Sequence, residues 1–310
     1  MKVALLYSGV GGANGADYMA DMLVAGFREL GTELVIVGKR GGYDLLEGIK
    51  TIPDGCDFAI HQSGFNLTPH AVCQIRAKCP LFVWTQNDEI GWWRELICTW
   101  GGLVDCHFSY QKRIQYGGPR VGPVEYMPIA AEPSWYCPTT PEYRDSERPI
   151  DVCLVGSKRR WRVEFCEGLA KHFKCHFNWS MCLPTNAVNA LYNASKIVVA
   201  PIQDCDEDVP GAAYGCPCRT FDVRAARSYQ LETKRDGLVD AYPLADSVTT
   251  SLDVNAAIEQ WCDVIAIRLA DHKRRAGQAE ADYQWTLAHH TYRHRAEQMI
   301  AFRLNMGKGE

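Results

Sequence analysis

The chain has 310 residues, 47% of them hydrophobic and 23% charged, with a formal net charge of −4. That is an ordinary globular balance with enough chain for two domains, and it implies no general polyanion-binding surface. No apolar run approaches the roughly 20 residues that a membrane-spanning helix needs, and the apolar start is too short for a secretory signal. There are fourteen cysteines. None forms a C-x-x-C pair, and the one close pair is Cys216-Pro217-Cys218. Cys56, Cys98, Cys106, Cys153, Cys166 and Cys262 lie in or beside apolar segments and read as small buried hydrophobes in a reducing cytoplasm.

In the first half, short apolar runs predict strands near Val3–Tyr7, Leu34–Val37, Phe58–Ile60, Leu81–Trp84 and Val104–Phe108. Asp17–Leu30 has helical periodicity and stops at Gly31, a residue suited to a C-cap. The alternation of strand and helix is that of parallel α/β layers. The loop after the first strand, Ser8 to Gly15, holds Gly11 and Gly12, which let backbone approach a ligand closely. A dinucleotide fingerprint would need glycine where Asn14 stands. The second strand ends in Lys39-Arg40 rather than a carboxylate, which leaves an NADP enzyme as one alternative. His61 and Asp88 stand at the carboxyl ends of strands, where open α/β sheets hold ligands. Each is of the type that takes a proton from an attacking hydroxyl.

A proline-rich stretch from Pro128 to Pro149 suits an interdomain linker. A second α/β series follows, with strands Ile150–Val155, Cys175–Trp179, Ile197–Pro201 and Gln230–Thr233. Helices are expected over Arg160–Phe173, Thr185–Asn193 and Arg219–Ser228, and from Asp253 onward in two or three pieces. The first strand of this series runs into Gly156-Ser157-Lys158-Arg159-Arg160-Trp161-Arg162, a tight turn and a cationic helix start suited to a diphosphate. Asp204-Cys205-Asp206-Glu207-Asp208 contains D-x-D twice, a pattern that can hold a divalent metal through oxygen ligands. It is read here as a loop at the site's edge, with no metal ligands assigned. Arg219 and Asp222 are three apart at a helix start. There a cation and the helix dipole favour phosphate, and a carboxylate can accept from ribose hydroxyls. A surface ion pair between them is the plain alternative.

Arg219-Thr220-Phe221-Asp222-Val223-Arg224-Ala225, read with His290-Thr291-Tyr292-Arg293-His294-Arg295-Ala296, resembles the C-terminal half of GT-B glycosyltransferases, in particular the CgeB-like branch of the group 1 glycosyl transferases. That branch has glutamate where Asp222 stands, and a glycine in the region of Arg227-Ser228. Trp84 to Glu89 resembles its tryptophan-to-aspartate stretch, with Ile90 in place of proline. Val155 to Arg162 resembles its second-domain turn, Arg162 matching best with Lys158 and Arg159 as alternatives.

The resemblance implies two Rossmann-like α/β domains facing across a cleft, with the C-terminal helix crossing back to the N-terminal domain. The expected bounds are 1–130 for an acceptor domain, 131–149 for a linker, 150–285 for a nucleotide-sugar domain and 286–310 for the terminal helix. It implies a cytoplasmic transferase moving a sugar from a nucleotide-diphosphate sugar, a UDP-sugar first, to an acceptor hydroxyl on a hydroxymethylated DNA base or a polysaccharide. Gly11, Gly12, Gly156, Ser157, Lys158, Arg162, Arg219 and Asp222 would hold the donor, and Asp88 or His61 would take the proton. No tightly bound cofactor is expected; the nucleotide sugar is a co-substrate, and dependence on a divalent metal stays open. A catalytically silent protein of the same fold is the second alternative.

Overall fold

A computed structural model describes residues 1–7, 15–38, 44–64, 66–85, 99–110, 122–139, 145–179, 183–201, 215–251 and 253–306. The chain divides into two compact units. The first comprises Met1–Ile129, Cys205–Gly215 and Tyr292–Glu310, and the second Ala130–Asp204 and Cys216–Thr291.

The first unit is built on six strands: β1 (Lys2–Leu6), β2 (Glu33–Val37), β3 (Phe58–Gln62), β4 (Leu81–Thr85), β5 (Cys106–Ser109) and β6 (Val124–Tyr126). They lie in the order β2-β1-β3-β4-β5-β6, every neighbouring pair parallel. Parallel pairing requires crossovers, supplied among the described residues by α1 (Gly15–Glu29), α2 (Leu45–Lys50) and α3 (Pro69–Arg76). The first backbone N–H groups of α2 and α3 are capped by the side chains of Asp44 and Thr68, and Pro69 takes the first-turn position that needs no N–H. β3, β4 and β5 are buried throughout, as strands covered on both faces must be.

One face of this sheet packs Leu6, Ala59, Leu81 and Val83 against Ile49, Val72, Ile75 and Trp100. The other carries an aromatic row, Phe58 to Phe82 at 4.8 Å and Phe82 to Phe108 at 5.7 Å, closed by Phe302 at 5.5 Å from Phe82. Phe302 belongs to the terminal helix, Tyr292–Asn305, which is therefore part of the first unit, as the resemblance implied. Gly26 of α1 makes that seating possible: a Cβ there would lie 2.5 Å from the Tyr292 carbonyl. Arg295 donates to the carbonyls of Pro128 (2.7 Å) and Ile129 (3.1 Å), and Arg303 to that of Asp57 (2.8 Å).

In the second unit the strands are β7 (Ile150–Val155), β8 (Cys175–Asn178), β9 (Ser195–Ala200), β10 (Gln230–Thr233) and β11 (Ser247–Val248), in the all-parallel order β11-β10-β9-β7-β8. Its helices are α4 (Arg160–Leu169), α5 (Thr185–Asn193), α6 (Cys218–Ala225), α7 (Asp236–Ala241), α8 (Val254–Ala270) and α9 (His272–His289); the terminal helix is α10. Val152, Leu154, Ile197, Val199 and Leu231 meet Phe165, Trp261 and Ile265 in its core.

Part of the stretch expected as a linker docks on α5. Asn189 and Asn193, one turn apart, accept from Cys137 N (3.3 Å) and Thr139 N (3.1 Å), and Tyr136 stacks on Tyr192. The helix expected to reach Phe173 stops at Leu169, where Ala170 N returns to Cys166 O and Lys171 N to Gly168 O. Every described cysteine is free, and Cys56, Cys106, Cys153 and Cys166 are buried. Among the described residues no helix is long and apolar enough to cross a membrane.

Candidate active site

β7 runs into Gly156, whose N–H is held by the Asn178 carbonyl at 3.0 Å, at the carboxyl edge of the second sheet. A Cβ on Gly156 would overlap Nη2 of Arg219 and would lie 3.6 Å from Nη1 of Arg162. Glycine here is the condition for two guanidinium groups to converge on one stretch of backbone. Arg162 stands in the first turn of α4 and donates Nη1 to the Ser157 carbonyl (2.8 Å) and to Ser157 Oγ (2.9 Å).

The start of α4 has no side-chain cap and no acidic residue in its first turn. Lys158, Arg159 and Arg160 are exposed there, Arg160 pairing with Glu164 at 2.9 Å. Cations at the positive pole of a helix repel it, and its first N–H groups lack intrahelical partners; an anion offsets both.

Arg219 lies in the first turn of α6, which likewise begins without a side-chain cap after Pro217. One turn on, Asp222 is 4% exposed and its Oδ1 has no hydrogen-bond partner. Burial holds the Asp222 carboxyl well above the usual carboxylate range, with the charge of Arg219 acting against it. Tyr192 of α5 shares this surrounding. Burial pushes its phenol up, opposed by the charge of Arg219 and a hydrogen bond to it, while Asp222 adds to the rise. The Cys218 thiol is pushed up to about 12 by burial and by Asp222, so it is a neutral neighbour rather than a thiolate.

Behind this face the fully buried Arg224 fixes α6 in place. Its Nη1 donates to Glu232 Oε1 (2.5 Å), Gln230 Oε1 (2.6 Å) and the Thr220 carbonyl (2.7 Å), and its Nε to Asp282 Oδ2 (3.1 Å). Thr220 closes the ring onto Glu232 at 2.7 Å, and the guanidinium lies 4.2 Å from the Tyr242 ring centroid. These groups tie α6 to β10 and α9. Where the family carries glycine after the helix, the backbone keeps a left-handed turn at Arg227 (φ 54°), whose side chain pairs with Glu280.

Of the residues singled out in the sequence, Gly156, Ser157, Arg162 and Arg219 are thus brought together. Asp222 shares α6 with Arg219, and Lys158 lies exposed on the same turn as Gly156. His61, in β3 of the first unit, is fully buried, and burial lowers its pKa to about 4. Its Nδ1 accepts from Gly64 N at 3.2 Å, so the neutral ring carries its proton on Nε2, which has no partner. In that tautomer His61 donates a hydrogen bond and cannot take a proton at Nε2.

Gly11, Gly12, Lys39, Arg40, Asp88 and the Asp204–Asp208 segment lie outside the described residues. Among the described residues no three His, Cys, Asp or Glu side chains are grouped to hold a metal. His290, four residues before His294, is engaged instead by the Ala241 carbonyl at 2.9 Å and packs on Phe221 and Tyr242. Sequence reading missed Tyr192 and the Arg224–Glu232–Asp282 network. Arg224 stands in a short helix that also carries Arg219, Thr220 and Asp222, so no apolar stripe marked it as buried.

The glycosyl transferase-like family matches residues 143–301, a span that holds Gly156, Arg162, Arg219 and Asp222. No curated protein matches the chain. Among solved structures, the sucrose-phosphate synthase of Thermosynechococcus elongatus is similar over 100% of both chains, at 12% identity and a TM-score of 0.67. The Anabaena protein HepE, solved with UDP-glucose, is similar over 97% of this chain and 99% of its own, at 11% identity and a TM-score of 0.62. An alpha-glucosyltransferase solved with UDP and a 13-mer DNA containing an HMU base covers 98% of this chain and 99% of its own, at 8% identity and a TM-score of 0.67. Two parallel α/β units with a returning terminal helix are the GT-B plan those enzymes share. With the family covering half of its length, the chain belongs to the glycosyl transferase-like family and is a glycosyltransferase of GT-B architecture.

Proposed function

We propose that the second unit binds a nucleoside-diphosphate sugar, a uridine diphosphate sugar in the first instance, and that the protein transfers its sugar to an acceptor hydroxyl. The observation that carries this reading is the meeting of Arg219 and Arg162 over Gly156, beside the buried carboxyl of Asp222 with its unpartnered oxygen. Two guanidinium groups at uncapped helix starts suit a diphosphate, and a carboxyl oxygen without a partner suits the hydroxyls of a ribose. The similar structures solved with UDP or UDP-glucose support the choice of nucleotide.

In the reaction the acceptor oxygen forms a bond to the anomeric carbon, whose bond to the diphosphate oxygen breaks. The diphosphate leaves with the bonding electrons, and its added charge falls to Arg219, Arg162 and Lys158. The acceptor's proton goes to Asp88, the candidate base that an imidazole in the tautomer of His61 cannot replace. A hydroxymethylated base in DNA is the first acceptor to try, supported by the similar enzyme solved with such a DNA and by the exposed Lys158-Arg159-Arg160 tract. A polysaccharide hydroxyl is the other.

The test offers UDP-sugars together with hydroxymethylated DNA or a glycan mixture and follows the mass of the acceptor. A sugar's mass added by the wild type and lost in Arg219→Ala is the expected result. Release of free sugar only, equal in both proteins, would contradict it.

A further inference from the structure

Tyr192 stands in the last turn of α5, almost fully buried, and both of its ends are tied to the segment that carries α6. At the backbone end its carbonyl accepts from Ser228 Oγ at 2.8 Å and from Arg148 Nη1 at 3.3 Å. Arg148 also donates to Ser228 Oγ (3.0 Å) and to the Arg227 carbonyl (3.2 Å), so this end fixes the chain just past α6. At the other end the phenol hydroxyl meets the guanidinium of Arg219, in the first turn of the same helix.

The ring between these ends is held as well. It stacks on Tyr136 with centroids 6.1 Å apart, and Asn189 and Asn193 of α5 hold the backbone of Cys137 and Thr139 beyond it. A side chain of two torsions clamped in this way has one place to put its hydroxyl. Arg219 is the opposite case. Its side chain is long and flexible, and ordering it on a ligand costs entropy unless something orders it first. Gly156 leaves room for the guanidinium but has no side chain with which to grip it. A hydroxyl oxygen can grip it, and being neutral it leaves intact the charge that a diphosphate seeks.

We propose that Tyr192 is a positioning residue for the donor diphosphate: its hydroxyl accepts from the Arg219 guanidinium and holds it over Gly156 before the nucleotide arrives. This rests on the donor reading given above. Tyr192 acts through Arg219, and every contact that it uses lies within the second unit.

The test measures UDP affinity by calorimetry, with melting temperature, for the wild type, Tyr192→Phe, Arg219→Ala and the double variant. Tyr192→Phe keeps the ring, its stack on Tyr136 and the carbonyl contacts, so the melting temperature should stay near that of the wild type. UDP binding is expected to weaken by roughly three- to tenfold, as the loss of one orienting hydrogen bond implies. In the Arg219→Ala background the same change is expected to have no further effect. Unchanged affinity in Tyr192→Phe, or an equal loss with and without Arg219, overturns the proposal.

The mobility of the Arg219 side chain in the nucleotide-free protein reads the same device and separates it from the donor assignment. The signal is the Nε–H heteronuclear NOE of Arg219 in protein labelled with ¹⁵N-arginine, assigned by its disappearance in Arg219→Ala. An ordered Nε–H in the wild type that becomes mobile in Tyr192→Phe supports the positioning role even if the protein binds no UDP. A mobile Arg219 in the wild type, or one equally ordered in both proteins, overturns it.

Discussion

In the proposed donor site, burial and ribose recognition pull on one proton at Asp222. Burial keeps the free carboxyl protonated to higher pH than an ordinary aspartate. Ribose hydroxyls donate to the ionised form and favour it, so binding a ribonucleotide expels the proton. UDP affinity should therefore rise with pH from about 4, the ordinary aspartate range, up through the raised value, then level off. Asp222→Asn should flatten that rise and narrow the preference for UDP over 2′,3′-dideoxy-UDP, both read by calorimetry across pH. The same shift sets the stability of the free protein. The folded state binds this proton more tightly than the unfolded one, so its contribution is full at low pH and is lost as pH rises through the raised value. Nothing in the sequence near Asp222 announces its burial. Arg219 and Asp222 were legible as a pair because they share one turn of one helix. Tyr192 was not, since it reaches the pair from a helix some thirty residues earlier.

Among the elements, the buried strands were the most legible. β1, β3, β4, β7 and β9 are strands of five or six residues, each with an unbroken apolar run of three or four, the mark of a parallel strand covered on both faces. β6 was missed because it is an exposed edge strand of three residues, Val124–Tyr126. α2 and α3 were missed because helices of six and eight residues are too short for a clear period, although Asp44 and the Thr68-Pro69 pair mark their starts. The packing of α1 on α10 depends on a single position that no periodicity reveals. Gly26→Ala would place a methyl against the Tyr292 carbonyl, where backbone must move to make room. The expected loss is about 1–3 kcal/mol of stability, the usual cost of overfilling a packed contact. Denaturant melts check it, and a midpoint equal to or above that of the wild type would contradict the close approach.

For the molecule as a whole, the sequence carried the two α/β series in order, and the terminal block carried the return of the last helix. The proposed function rests on the second unit carrying the nucleotide. The most direct measurement is calorimetric titration of UDP into the full-length protein and into Arg219→Ala and Arg162→Ala. Saturable one-site binding by the wild type, weakened by on the order of tenfold or more in each variant as loss of a charge-assisted contact to phosphate requires, is the predicted result. UDP binding of equal strength in all three proteins would contradict it and move the nucleotide away from Gly156.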